Sequence, residues 1–164
     1  MKSSFGTGSE QAVYQSPNGD FLMALSSDGQ TGWVQSSIVG KPSRDIFRVA
    51  LPGGQGEVFL ETPFDEFQPV PSPDNRWLAY VSDETGRQEV YVQSLSGDGG
   101  KWQISTDGGT LPLWSRKGHE IIFQGRDGRL IAVDVVTSPA FSAGIPTPLF
   151  DPRMRSNVFG RMWT

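Results

Sequence analysis

A segment that occurs again 43 residues further on limits what this chain can fold into. The stretch Phe67-Gln68-Pro69-Val70-Pro71-Ser72-Pro73-Asp74-Asn75-Arg76-Trp77-Leu78-Ala79-Tyr80 aligns with Thr110-Leu111-Pro112-Leu113-Trp114-Ser115-Arg116-Lys117-Gly118-His119-Glu120-Ile121-Ile122-Phe123. Pro69 falls on Pro112, Ser72 on Ser115, Leu78 on Ile121 and Tyr80 on Phe123. Glu89-Val90-Tyr91-Val92 then corresponds to Arg129-Leu130-Ile131-Ala132-Val133. An earlier copy is read at Ser16-Pro17-Asn18-Gly19-Asp20-Phe21-Leu22-Met23-Ala24. It lies 56 residues before the Ser72 copy. That spacing puts about 13 extra residues between Leu25 and Asp45, in the Gly-, Ser- and Gln-rich stretch 26–43.

Within each unit the apolar runs are short and separated by turn chemistry. Residues 67–71, 77–82, 88–95 and 102–106 are rich in aromatic and β-branched side chains, and Ser-Pro-Asp-Asn, Glu-Thr-Gly and Asp-Gly-Gly segments punctuate them. The third unit reads as strands over 111–114, 120–124, 129–135 and 147–150, and the first over 11–15, 21–26, 44–51 and 57–61. No sustained 3.6-residue apolar period occurs, so almost no helix is expected. Four short antiparallel strands per unit of this length is the pattern of a propeller blade. The expected fold is therefore all-β, a single partial β-propeller over 1–164. Blade 1 spans about 11–62, blade 2 about 65–106, blade 3 about 110–150, and a tail 151–164. The repeat also accounts for the 20 Gly and 12 Pro, since every unit brings its own turns. The ten Phe, five Trp and three Tyr argue against a disordered chain.

Ser72-Pro73-Asp74-Asn75-Arg76-Trp77-Leu78-Ala79-Tyr80-Val81-Ser82 resembles the S-P-D-G-(R/K)-x-(L/I)-(A/V)-(Y/F) motif of the TolB-type (PD40, WD40-like) propeller repeat. The run Gly100 to Ser115, which includes Pro112, Trp114 and Ser115, is similar to the segment joining two such blades. The likeness extends in particular to the carboxy-terminal propellers of bacterial eukaryotic-like serine/threonine kinases. It is strong from Asp45 to Phe150 and weak before Asp45. It implies a module that accompanies a kinase or a periplasmic complex as scaffold or input domain. Two departures stand out: Asn75 replaces the usual turn Gly, and Arg116-Lys117 replaces Pro-Asp in the third unit.

Chemistry-bearing constellations are sparse. His119 is the single histidine, and the repeat places it on Arg76, at the end of a turn. No G-x-S-x-G elbow exists to accompany it. The carboxylates Asp28, Asp74, Asp83, Glu84, Asp98, Asp107 and Asp127 sit in turns, where Asp ordinarily bonds the backbone two residues on. Ser26-Ser27-Asp28-Gly29-Gln30-Thr31-Gly32-Trp33 approximates an Asp-box, itself a folding motif. Gly99-Gly100-Lys101-Trp102 lacks the first Gly and the Ser/Thr of a phosphate loop. No cysteine is present for disulfide, thiolate or zinc-thiolate chemistry. No catalytic, cofactor-binding or metal-binding residue is therefore assigned. Trp77, Trp102 and Trp114 fall on strands and are expected between blades. Trp33 and Trp163 lie off the repeat and are the candidates for an interaction surface.

Charge and length bound the partners. With 14 basic and 18 acidic residues the chain carries −4, a poor match for nucleic acid. No apolar run reaches the roughly 18 residues of a spanning helix, so no membrane insertion is expected. Three blades do not close a ring, because propellers use roughly four to eight. The expectation is half of a six-bladed propeller, completed by a second copy or by further sequence. The function read from this is non-catalytic binding of a protein or small ligand at the propeller face. The alternative is the propeller portion of a hydrolase, either prolyl-oligopeptidase-like or a glycosidase or lyase. The absence of a signal peptide implies the cytoplasm for a complete chain, and a periplasmic or extracytoplasmic site for a fragment of a larger protein.

Overall fold

A computed structural model describes residues 20–37, 40–97 and 100–150. Among these the chain forms thirteen strands and no helix. Three antiparallel sheets follow one another along the sequence. The first is β1 (Phe21–Leu25), β2 (Thr31–Ser36), β3 (Asp45–Ala50) and β4 (Gly56–Leu60), in that spatial order. The second is β5 (Glu66–Pro71), β6 (Trp77–Ser82), β7 (Glu89–Ser94) and β8 (Lys101–Gln103). The third orders β9 (Gly109–Trp114), β10 (Glu120–Gly125) and β11 (Leu130–Val136). Its outer edge is divided, because β12 (Ser142–Ala143) pairs with one end of β11 and β13 (Thr147–Phe150) with the other. The strands β1, β5 and β9 form one edge of each sheet and touch in sequence, so they are the inner strands of three successive blades.

The first blade corrects the sequence reading. The stretch expected to be an insertion contains β2, and the strand expected at 11–15 lies outside the described residues. The turn that matches Ser72 is Ser26, which is 46 residues earlier rather than 56. Hydrogen bonds prove the correspondence. Ser26, Ser72 and Ser115 each donate their amide at 2.8 Å to the carbonyl of the residue five positions on. Each Ser carbonyl accepts at 2.9 Å from the residue three positions on, namely Gly29, Asn75 and Gly118. Those three have φ of 70°, 55° and 71°, the left-handed region that Gly adopts freely and Asn tolerates. The carbonyls of Gln30, Arg76 and His119 then accept from Leu51, Leu95 and Val135. In the first two turns the side chains reinforce the backbone. Ser72 Oγ donates to Asp74 Oδ1 at 2.5 Å and accepts from Trp77 N at 3.0 Å, while Asp74 Oδ1 accepts from Arg76 N at 3.1 Å. Ser26, Asp28, Gln30 and Thr31 repeat that pattern. Arg116-Lys117 leaves the third turn with its backbone bonds alone among those described.

Packing follows from the register. Every residue of β6 is buried, because alternate side chains enter different interfaces. Leu78 and Tyr80 meet Trp33 and Ile46 of the first blade. Trp77, Ala79 and Val81 meet Ile121, Phe123, Val133 and Val135 of the third. The inner strands are also tied across blades at bulges. Gln68 and Leu111 both have φ of 54°, and both interrupt the pairing of their strands. Gln35 Oε1 accepts from Gln68 N at 3.1 Å, and Gln68 Oε1 accepts from Leu111 N at 2.8 Å. Because Ser72 Oγ serves a buried donor and Ser115 has only its backbone role, the two alanine variants should differ. Ser72→Ala should cost about 1–3 kcal/mol in chemical denaturation, and Ser115→Ala less than about 0.5 kcal/mol.

Candidate functional site

Loops gather at two opposite ends of the blades, and the polar side chains at the two ends are arranged differently. At one end, β3 and β7 both open on a fully buried acid, Asp45 and Glu89, paired across the sheet with Ser36 and Ser82. Each buried carboxylate has its own cation, as burial of a charge requires. Lys41 Nζ reaches both oxygens of Asp45, at 2.6 and 2.7 Å. Arg87 Nε donates to Glu89 at 2.6 Å, and Ser105 Oγ and the Gly108 amide add further hydrogen bonds to it. A second latch crosses from blade 1 to blade 2, where Arg44 donates its amide, Nε and Nη2 to Asp65 at 2.8, 2.9 and 2.5 Å. These bonds hold the Asp65 carboxyl below its ordinary range. The Arg44 guanidinium also lies 3.6 Å over the Phe67 ring.

Glu66 is the exception at this end. It is 1% exposed, accepts from the Thr62 hydroxyl through Oε1, and leaves Oε2 without a hydrogen-bond partner. Burial, with the Asp45 charge adding to it, pushes its carboxyl above 4.5. No group of three or more acid or imidazole side chains among the described residues could hold a metal ion. The Arg44–Asp65 and Gly108–Glu89 bonds fasten the entries of β5 and β9 to the preceding blade.

At the opposite end lie the Ser-Asp turns and the histidine. His119 is exposed and shares a shallow hollow with Asp134 and Ser138 on the third blade. No hydrogen bond joins these three side chains, so the hollow lacks the base–nucleophile contact of a catalytic triad. The turn acids are committed elsewhere. Asp28, Asp74 and Asp127 each accept from the backbone two residues on, and Asp83 accepts from Asp65 N. Glu84 pairs with Lys101, and Asp107 lies 3.7 Å from Arg87. Asp98 lies outside the described residues. Lys101 is thus engaged, and a Cβ on Gly100 would sit 3.1 Å from the Trp102 ring, so this segment packs on itself rather than cradling phosphate.

Trp33 is not on a surface. It is 3% exposed and meets Phe59 edge-to-face at 5.0 Å. In the corrected register it occupies the position of Ala79, whose side chain faces the next blade, which is why it is buried. Trp163 lies outside the described residues. Trp77, Trp102 and Trp114 all belong to the cluster between blades 2 and 3, and Trp114 Nε1 donates to the Val70 carbonyl at 3.0 Å. Sequence reasoning missed the Lys41–Asp45 and Arg87–Glu89 latches. Their signal was an acid opening the third strand of two blades, with a cation two to four residues upstream.

The buried Glu66 carboxyl gives a pH test with a defined sign. Burial raises its folded-state value, so between the ordinary value and the raised one the folded chain holds a proton there that the unfolded chain has released. Stability therefore declines as pH rises from the ordinary value through the raised one, and this loss persists at neutral pH. Glu66→Gln should flatten that decline and unfold at a higher temperature than the parent at pH about 7, measured by thermal melts across the range.

No known family profile matches the chain, and no curated protein matches it. Solved structures do. It superposes on a putative TolB from Agrobacterium tumefaciens with a TM-score of 0.69 and 19% identity, covering 83% of this chain and 51% of that one. TolB from Acinetobacter baumannii follows with a TM-score of 0.56 and 18% identity, over 77% of this chain and 32% of that one. The chain spans about half the length of the first of these structures. With the three repeated sheets and their turns, this establishes the fold as a partial β-propeller of the TolB type.

Proposed function

We propose that the chain is a binding module, three blades of a propeller with no catalysis of its own. The observation that carries this reading is that the described turn carboxylates serve backbone amides or neighbouring cations, while His119 has neither an acid nor a nucleophile bonded to it. Propellers present loops and inner strands to partners, and here the inner-strand residue Leu111 is exposed at its bulge. A partner protein or small ligand would be taken there, in a scaffold or input role such as a kinase-linked or periplasmic module fulfils.

The ring is completed by a second copy. Ile121 and Phe123 fill one side of β10, so Ile122 and Gln124 face the other way, as do Val136 on β11 and, on the first blade, Leu25 and Val58. Of these, Ile122 holds the position of Ala79, which packs between blades 2 and 3, and a twofold pair would bring the two apolar ends together. Light scattering after size exclusion should give twice the 17.9 kDa chain mass, and a monomer overturns the pairing. Purified chain should leave generic peptide, ester and glycoside substrates intact. Turnover that disappears in His119→Ala or Asp28→Ala would establish the hydrolase instead.

A further inference from the structure

A cavity of about 550 Å³ opens between blades 2 and 3 at the end of the sheets that carries the Ser-Asp turns. Its size falls in the range of small-molecule sites, roughly 300–1,000 Å³. The wall is aromatic. Trp77, Trp102 and Phe141 touch one another with ring centroids 4.9 to 5.4 Å apart. Trp77 and Phe141 are buried, whereas Trp102 is half-buried and offers ring surface to the cavity. Blade architecture does not demand this cluster. The positions equivalent to Trp77 are Thr31 in the first blade and Glu120 in the third, and both build the same turn.

The sign of the site is set by Arg76. It is exposed on the rim, and among the described residues its guanidinium makes no ion pair. The nearest acid in sequence, Asp74, is held by the Ser72 hydroxyl and the Arg76 amide. None of the lining residues is acidic, in a chain whose net charge is −4. The equivalent positions carry Gln30 and His119, so the permanent cation is particular to this groove. The remaining polar groups are small and neutral: the Asn75 amide, whose oxygen already accepts from Ser27 N, and the linked hydroxyls of Ser94 and Ser96. The Trp77 indole N–H is taken by the Thr137 carbonyl, which leaves its ring to act as an apolar wall.

We propose that this cavity binds a small carboxylate carrying an aromatic ring, with the ring against Trp102 and the carboxylate on Arg76. A guanidinium binds a carboxylate through two parallel hydrogen bonds, and an aromatic wall adds ring contacts that a plain anion cannot use. The site is separate from the inner-strand surface and does not depend on ring closure.

Phenylacetate, its neutral isostere phenylacetamide, and acetate are the probes, read by saturation-transfer NMR and calorimetry on the whole chain. Phenylacetate should bind saturably and at least tenfold more tightly than the other two. Arg76→Gln, at an exposed turn position, should keep the circular dichroism of the parent and bind phenylacetate and phenylacetamide equally. Trp102→Ala should weaken both aromatic probes. No saturable phenylacetate binding, equal binding of acid and amide by the parent, or a preference that survives in Arg76→Gln would each overturn the proposal.

Discussion

The structure depends on a strand that has no solvent face. Trp77 to Ser82 is buried throughout, with one set of alternate side chains packed on the first blade and the other on the third. A sheet of four short strands cannot shield both of its faces, so a single blade has no core of its own. Neighbouring sheets supply the missing cover, and this forces the apolar pattern away from the alternation expected of a half-exposed strand. Hydrophobic burial between blades is thus the term that everything else serves. The Ser-Asp turns set where each strand begins, the glutamine amides hold the inner strands at their bulges, and the Lys41 and Arg87 latches neutralise the acids that open the third strands.

Much of this was legible because the repeat carries it. Ser72, Pro73, Asp74, Trp77 and Tyr80 with Pro112, Trp114 and Ser115 located two blades directly. The first blade was misread for a physical reason. Ser16-Pro17-Asn18-Gly19 has turn composition, and Ser26-Ser27-Asp28-Gly29 lacks the proline that marks the motif in the second unit. The backbone bonds, however, need only a residue that accepts positive φ, and the side-chain bonds only Ser and Asp. Proline contributes nothing to the bonding pattern, so weighting it displaced the alignment and left Trp33 off the grid.

The ionic latches were harder to see. Asp45 and Glu89 are different residues at one structural position, and their cations come from Lys41 and Arg87, at different spacings. In the first two blades a buried negative charge with a compensating positive one stands there, built from different residues, whereas the third blade has the exposed Arg129 at that position. Glu66 shows the opposite case, an acid buried with one oxygen unbonded that stands outside the repeated pattern. The aromatic cluster of Trp77, Trp102 and Phe141 is a third kind of feature. It is legible as packing, and only the comparison with Thr31 and Glu120 marks it as more than the blade requires.

Asn75 departs from the glycine expected at its turn, and the same residue reaches beyond it. Its Oδ1 accepts from Ser27 N, which lies in the matching turn of the preceding blade. On the other side, Pro73 lies 3.5 Å from where a Cβ on Gly118 would be, in the matching turn of the following blade. The turns therefore form a continuous row across the three blades, each leaning on the next. A substitution in one is felt by its neighbour as a change of footing, although each turn closes on its own backbone bonds.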